Sequence, residues 1–354
     1  MTGDTVLDGD IIVRAHGSLR RLTLNRPQTI NALTLGMAET MTTALRQWAD
    51  DPAVGVVLID GAGERGLCAG GDLRALYDAK KSQNSFPAHY WATEYQLDVL
   101  IARYPKPVVA MMTGLVMGGG VGISAHASHR VVTDSSAVAM PECIIGLVPD
   151  VGASFILARA PGSTGMHLAL TGARMTAADA IYSGFADIHV ATTGIAGIPE
   201  ALADCRDAAG VTAHLRGLST PPAPGRLSAA QSWIDECYRA DTVEDVAERL
   251  RNVDHDDARA AHDAIRKGSP TSLKVTLQNV REAAAFKRVE QSFQQDYRIV
   301  LACHAGHDFI EGIRATIVDK DRNPRWQPAR LEDVTPDIVE RHFKSVGALE
   351  LQFP

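Results

Sequence analysis

Apolar positions along the chain change period several times, and each change marks an element. Ile11-Ile12-Val13-Arg14-Ala15 and Arg21-Leu22-Thr23-Leu24-Asn25 flank His16-Gly17-Ser18, the pattern of a hairpin entering a sheet. Met37, Met41, Leu45 and Trp48 then recur at helical steps, an apolar stripe that stops at Asp50-Asp51-Pro52 and reads as core. Val54-Gly55-Val56-Val57-Leu58-Ile59 is a nearly unbroken apolar run, suited to a strand covered on both faces. A helix over about 89–103 leads to a strand at Val108–Met112, and strands at 130–133 and 137–140 follow. Helical patterns occupy about 152–160, 165–170 and 176–183. Strands alternating with helices predict right-handed crossovers and a mainly parallel α/β sheet, with function placed in the connecting loops.

Residues 108–129 contain no Lys, Arg, Asp or Glu and are long enough to cross a bilayer. Pro105, Pro107 and the glycines at 114, 118, 119, 120 and 122 divide the run into a buried strand, a glycine turn and a helix, so no membrane span is expected. A softer stretch follows from about 191 to 226, clearest as a linker at Ser219-Thr220-Pro221-Pro222-Ala223-Pro224-Gly225. Beyond it the chain reads helical: 242–252, then 271–285 with Ser269 as N-cap and Pro270 in the first turn, then 287–304, and a last helix opened by Thr335-Pro336. The expected organisation is a core over 1–190, a linker region over 191–226 and a helical C-terminal region over 227–354.

Composition narrows the function classes. With 354 residues, 45% of them hydrophobic and 22% charged, the chain has surface enough to bury about two domain-sized units. A net charge of −7 argues against a nucleic-acid partner. Five scattered cysteines with no C-x-x-C pair fit a reducing cytoplasm, and Asp4, Asp8 and Asp10 stand where a secretory leader would be basic and then apolar.

Several clusters invite chemistry. Gly61-Ala62-Gly63-Glu64-Arg65-Gly66 has the spacing of a dinucleotide-binding turn, but the residues after it are turn formers where a long helix should already run. Cys68-Ala69-Gly70-Gly71-Asp72 and Met117-Gly118-Gly119-Gly120-Val121-Gly122 each follow a buried strand and precede a helical pattern. They are either tight strand-to-helix turns or, if they converge, a pair of main-chain donors for a developing negative charge. Glu142 and Asp150 are two carboxyls in an otherwise apolar segment; burial would raise their pKa into the range of acid–base work, while Asp150 has a second reading as an N-cap. His126 with His129, and His304 with His307, have a spacing that metal ligands use, yet no carboxylate or cysteine framework accompanies them, and no metal is expected. Cys68 and Cys143 read as buried filler.

Asn25-Arg26-Pro27 with Asn31-Ala32-Leu33, Cys68-Ala69-Gly70-Gly71-Asp72, Gly118-Gly119-Gly120 and Pro141-Glu142, in this order, resemble the crotonase, or enoyl-CoA hydratase/isomerase, superfamily. Met140 to Gly152, Ser269-Pro270-Thr271-Ser272-Leu273-Lys274, the run from Gly306 to Ala315 and the run from Asp319 to Trp326 are similar to a branch of that superfamily that hydrolyses short 3-hydroxyacyl-CoA thioesters, extending the likeness to nearly the whole chain. The resemblance implies a crotonase-like ββα spiral with mainly parallel sheets. It also implies an acyl-CoA substrate such as a 3-hydroxyisobutyryl or 3-hydroxypropionyl thioester, a place in valine degradation, no cofactor beyond the coenzyme A of the substrate, and possible homo-oligomers. By the same resemblance Gly71 and Gly119 supply backbone oxyanion donors, Glu142 and Asp150 are catalytic, and Glu94, Ala69, Gly70, Asp72 and Gly118 contact substrate. Arg26 and Arg74 are candidates for the coenzyme phosphates. One departure stands out. Hydratases of the superfamily carry a glutamate two residues after the glycine triplet, and here that position is Gly122, which disfavours hydration. Competing expectations are another reaction of the superfamily, hydration or isomerisation, and a non-catalytic acyl-CoA-binding subunit.

Overall fold

The computed structural model describes residues 5–7, 9–82 and 85–353. Nine strands are present among them: β1 (Thr5–Leu7), β2 (Ile11–His16), β3 (Leu19–Leu24), β4 (Val56–Gly61), β5 (Val108–Met112), β6 (Leu115–Met117), β7 (His129–Val132), β8 (Ala137–Ala139) and β9 (Ile188–His189). Seven form one sheet in the order β1-β2-β3-β4-β5-β7-β9, antiparallel across β1, β2 and β3 and parallel from β3 onward, and β6 pairs with β8 in a second, smaller sheet. The predicted hairpin is β2–β3, with His16 opposite Leu19. The 108–129 run resolves into β5, β6, the helix Gly119–Ala125 and the first residue of β7, and no helix among the described residues is long and apolar enough to cross a membrane.

The chain forms two compact units, each drawn from three segments: Met1–Gly71, Thr93–Val138 and Met175–Gly225 in one, Asp72–Ala92, Ala139–Arg174 and Arg226–Pro354 in the other. The first holds the large sheet. Leu19, Val56, Leu58, Val109, Met111 and Val131 form its apolar layer on one face, covered by Ile198, Leu202, Val211 and Leu215. Those four covering residues lie in the stretch expected as linker, which in fact carries the helices Ile198–Leu202 and Ala208–Leu218, the second capped by Asp207 through the Gly210 amide. Their stripes are short and diluted by Ala, Gly and Thr, so the helical period is weak in sequence. Met37, Met41, Leu45 and Trp48 are buried on the helix Leu35–Ala49, as their spacing predicts.

The second unit is helical. Thr164–Thr171 packs against Ala153–Leu157, Leu227–Tyr238, Asp256–Lys267 and Pro270–Ala283. Ser269 is the N-cap of the last of these, accepting a bond from the Ser272 amide with Pro270 in the first turn. All five cysteines are free and buried.

Candidate active site

Each unit holds one cluster of the residues singled out above. In the sheet unit, the strand β4 ends at Gly61 and no helix begins until Leu73, so the G-x-G-x-x-G spacing opens onto a loop instead of a dinucleotide-binding helix. Asn31 holds that loop. Fully buried, it donates through Nδ2 to the carbonyls of Ala62 (3.0 Å), Gly66 (3.2 Å) and Leu67 (3.0 Å) and accepts the Arg26 amide at 2.9 Å. The chain then runs between two backbone supports. Ala69 N–H donates to Ile30 at 2.9 Å and Leu33 N–H to Gly70 at 2.8 Å on one side, and Met117 N–H donates to Cys68 at 3.0 Å on the other.

These bonds bring the two glycine turns together. The Gly71 nitrogen lies 3.6 Å from the position a Cβ on Gly119 would take, and the Gly70 Cβ position is 3.9 Å from the Gly118 Cα. A side chain at Gly119 would collide with Oε1 of Glu94, which is buried. Gly119 opens its helix, so its N–H has no acceptor within it, and no acceptor takes the Gly71 amide among the described residues. At Gly122 a Cβ would strike the carboxyl of Asp98, itself fully buried, so this position has no room for an acidic side chain while Asp98 is in place. Arg26 is committed to the fold, donating to the Ala32 carbonyl at 2.7 Å.

In the helical unit, Asp72 caps the helix Leu73–Ser82 by accepting the Ala75 amide at 3.2 Å, and Arg74 pairs with Asp78 at 3.1 Å on its exposed face. Glu142 starts a 3-10 turn, Glu142–Ile145, and is 5% exposed. Its Oε2 meets no hydrogen-bond partner among the described residues. Burial, reinforced by the charge of Asp150, holds its pKa well above the usual carboxylate range. Asp150 is 4% exposed. It is not the N-cap of the next helix; Gly152 is, with no side-chain cap bond, and the Asp150 carbonyl accepts the Ala153 amide at 2.9 Å. Between them Val151 adopts φ 52 and Gly152 φ 72. For a β-branched residue this left-handed conformation is strained, by about 1–3 kcal/mol.

Sequence reasoning missed Asp296, on the helix Val289–Ala305. It is fully buried, and it accepts the Gly152 amide at 2.9 Å, the Asn279 Nδ2 at 3.0 Å and the Ser154 hydroxyl at 3.3 Å. Burial pushes its carboxyl up to about 8, against the pull of the Asn279 bond and with the charge of Asp150 adding to the rise. No motif surrounds it; only the tertiary structure brings it to the Asp150 loop.

The C-terminal motifs form the support of the Glu142 turn. The Ser269 amide donates to the Cys143 carbonyl at 2.9 Å, and the Ser269 hydroxyl donates to Asp308 at 2.6 Å. A Cβ on Gly312 would collide with the backbone of Ile145, so the helix Asp308–Ile313 lies directly on the turn. Arg314 ties Glu311 (2.8 Å), Asp319 (2.7 Å) and Asp321 (2.7 Å) together, and Asp308 accepts the Gln327 amide at 2.8 Å. No group of three or more potential metal ligands occurs among the described residues. The Cys68 and Cys143 thiols are both pushed up to about 12 by burial, which makes them inert filler.

The sheet order, the glycine turns and the buried carboxyls define an acyl-CoA-type crotonase scaffold, and comparison agrees: the sequence model of the enoyl-CoA hydratase/isomerase family matches residues 19–343, and the chain belongs to that family. Among curated proteins it is 38% identical to the mitochondrial 3-hydroxyisobutyryl-CoA hydrolase of Mus musculus and 37% identical to that of Homo sapiens, in both cases over 97% of this chain and 91% of the relative. Among solved structures it is similar to a carnitinyl-CoA dehydratase from Mycobacterium thermoresistibile, with 46% identity and a TM-score of 0.93 over 98% of this chain and 99% of the other. It is also similar to an enoyl-CoA hydratase from Rhodobacter sphaeroides 2.4.1, with 40% identity and a TM-score of 0.88 over 97% of this chain and 100% of the other.

Proposed function

We propose that this protein hydrolyses a short 3-hydroxyacyl-CoA thioester, 3-hydroxyisobutyryl-CoA foremost, as a step of valine degradation. The observation that carries the reading is the buried Glu142, whose pKa, raised by burial and by Asp150, makes it a stronger base once ionised, in a chain with Gly122 where a second glutamate would follow the glycine triplet. Near-full-length likeness to proteins named 3-hydroxyisobutyryl-CoA hydrolase supports the same choice of acyl group.

In this reading the amides of Gly71 and Gly119 take the thioester oxygen as it becomes negative, each donor lowering the barrier by about 3–4 kcal/mol. Glu142 acts in one of two ways. As general base it removes a proton from water, whose oxygen bonds to the carbonyl carbon as the C–S bond breaks; as nucleophile it forms an anhydride that water then opens. Asp150 orients the 3-hydroxyl or assists delivery of the proton held by Glu142 to the departing thiolate, giving the free acid and coenzyme A. Glu94, Ala69, Gly70, Asp72 and Gly118 line the acyl-CoA path.

The solved relatives named as a dehydratase and a hydratase favour a second reading, water addition or loss at an enoyl-CoA. Thiol release from 3-hydroxyisobutyryl-CoA and loss of enoyl absorbance from crotonyl-CoA separate the two. Thiol release is expected, and Glu142→Gln should slow it at least about 100-fold with acyl-CoA binding retained. Release at the wild-type rate in that variant, or turnover of crotonyl-CoA alone, would reject the assignment.

A further inference from the structure

The backbone that presents Asp150 does not hold its shape by itself. Val151 sits at φ 52, where its branched Cβ crowds the following carbonyl, and Gly152 continues in the same left-handed region. A valine persists in that region only when surrounding groups over-determine it, whereas the glycine takes it freely. A bond to the bend from a distant helix is made by one side chain, at Gly152. Asp296, fully buried on the helix Val289–Ala305, accepts the Gly152 N–H through Oδ2. Its other oxygen takes Asn279 Nδ2 and the Ser154 hydroxyl, and Asn279 is itself fixed by the Gln295 amide at 2.9 Å. The loop is thereby tied to two helices of the same unit at the residue next but one to Asp150.

We infer that Asp296 is a positioning residue for the thioester chemistry, holding the Gly152 amide and with it the left-handed bend that sets the direction of Asp150. A carboxyl with no access to water is a costly way to satisfy a single N–H, because it either gives up its hydration as an anion or must hold a proton. Three donors converging on it, from the loop, the following helix and a neighbouring helix, account for its presence as an anchor. The inference rests on the proposed role of Asp150, and its test is arranged so that the two fail separately.

Thiol release from 3-hydroxyisobutyryl-CoA is measured for the full chain and for Asp150→Asn, Asp296→Ala, Asp296→Asn and the double variant Asp150→Asn/Asp296→Ala, with circular dichroism to verify folding. Asp296→Ala should lower kcat about 10- to 100-fold with KM nearly unchanged. Asp296→Asn, which keeps an oxygen for the Gly152 N–H, should recover most of that loss. The double variant should be no slower than Asp150→Asn alone, since the anchor acts only through Asp150. Wild-type kcat in Asp296→Ala, an Asn no better than the Ala, or multiplying losses in the double variant would overturn the inference. Wild-type turnover in Asp150→Asn would instead overturn the role assigned to Asp150. If Asp296→Ala does not fold, Asn279→Ser decides: a lowered kcat that does not multiply with Asp150→Asn supports the anchor, and an unchanged kcat overturns it.

Discussion

Glu142 keeps its proton at pH values where an exposed glutamate has lost it, and that has a cost in stability. Below about 4.5 the carboxyl is protonated in both the folded and unfolded chain. As pH rises past that value the unfolded chain gives up its proton while the folded one retains it, so stability falls through the window up to the raised folded pKa. Asp296, pushed up to about 8, acts with the same sign between about 4 and 8. Glu142→Gln removes the first of these penalties. It should raise unfolding free energy by about 1–2 kcal/mol near pH 8, measured by chemical denaturation, with the gain vanishing near pH 4. A variant no more stable at pH 8 than at pH 4, relative to wild type, would contradict the burial argument. Glu142, Asp150 and the two glycine turns were legible in sequence because they sit in short runs of unusual composition. Asp98 and Asp296 were not, since each lies within an ordinary helix and gains its meaning from a neighbour far away in the chain.

At the scale of elements, the amphipathic helix Leu35–Ala49 follows from its period, and the parallel strands Val56–Gly61 and Val108–Met112 from unbroken apolar runs buried on both faces. The strand β6 is only three residues long and is flanked by glycines, and Ala208–Leu218 buries Val211 and Leu215 with Leu218 packed at the edge, so neither leaves a strong pattern. The glycine-bearing helix Asp308–Ile313 was flagged by resemblance, but its purpose emerged only from the close approach of Gly312 to Ile145. Gly312→Ala forces a methyl into that backbone. Overpacking of this kind costs about 1–3 kcal/mol, and the structure that yields is the turn carrying Glu142. Gly312→Ala should therefore lower both the thermal midpoint and the rate of thiol release. A variant that loses stability yet turns over normally would show that the turn does not depend on this contact.

Over the whole molecule, the two units are interleaved along the chain, and the change at Gly225–Arg226 falls at the end of the proline-rich run. A fragment ending at 226 would contain the large sheet, but Ala153–Leu157 and Thr164–Thr171 would lose Leu227–Tyr238, Asp256–Lys267 and Pro270–Ala283, leaving their apolar faces open to water. Such a fragment should aggregate and show no thiol release. A soluble fragment with cooperative unfolding and native-like circular dichroism over its helices would refute this. The parallel order and helical C-terminal part were readable from the chain, whereas the exchange of segments between units was not, because it is a property of contacts and not of local pattern.

The order of synthesis gives the support of the Glu142 turn a biological edge. Glu142 emerges from the ribosome well before Ser269 and Gly312, which bond or press against its turn, so the acid waits on a growing polypeptide without its final mould. A message broken off in that interval yields a product bearing both acids in uncommitted backbone. Only translation to the late helices gives the Glu142 turn its final surroundings.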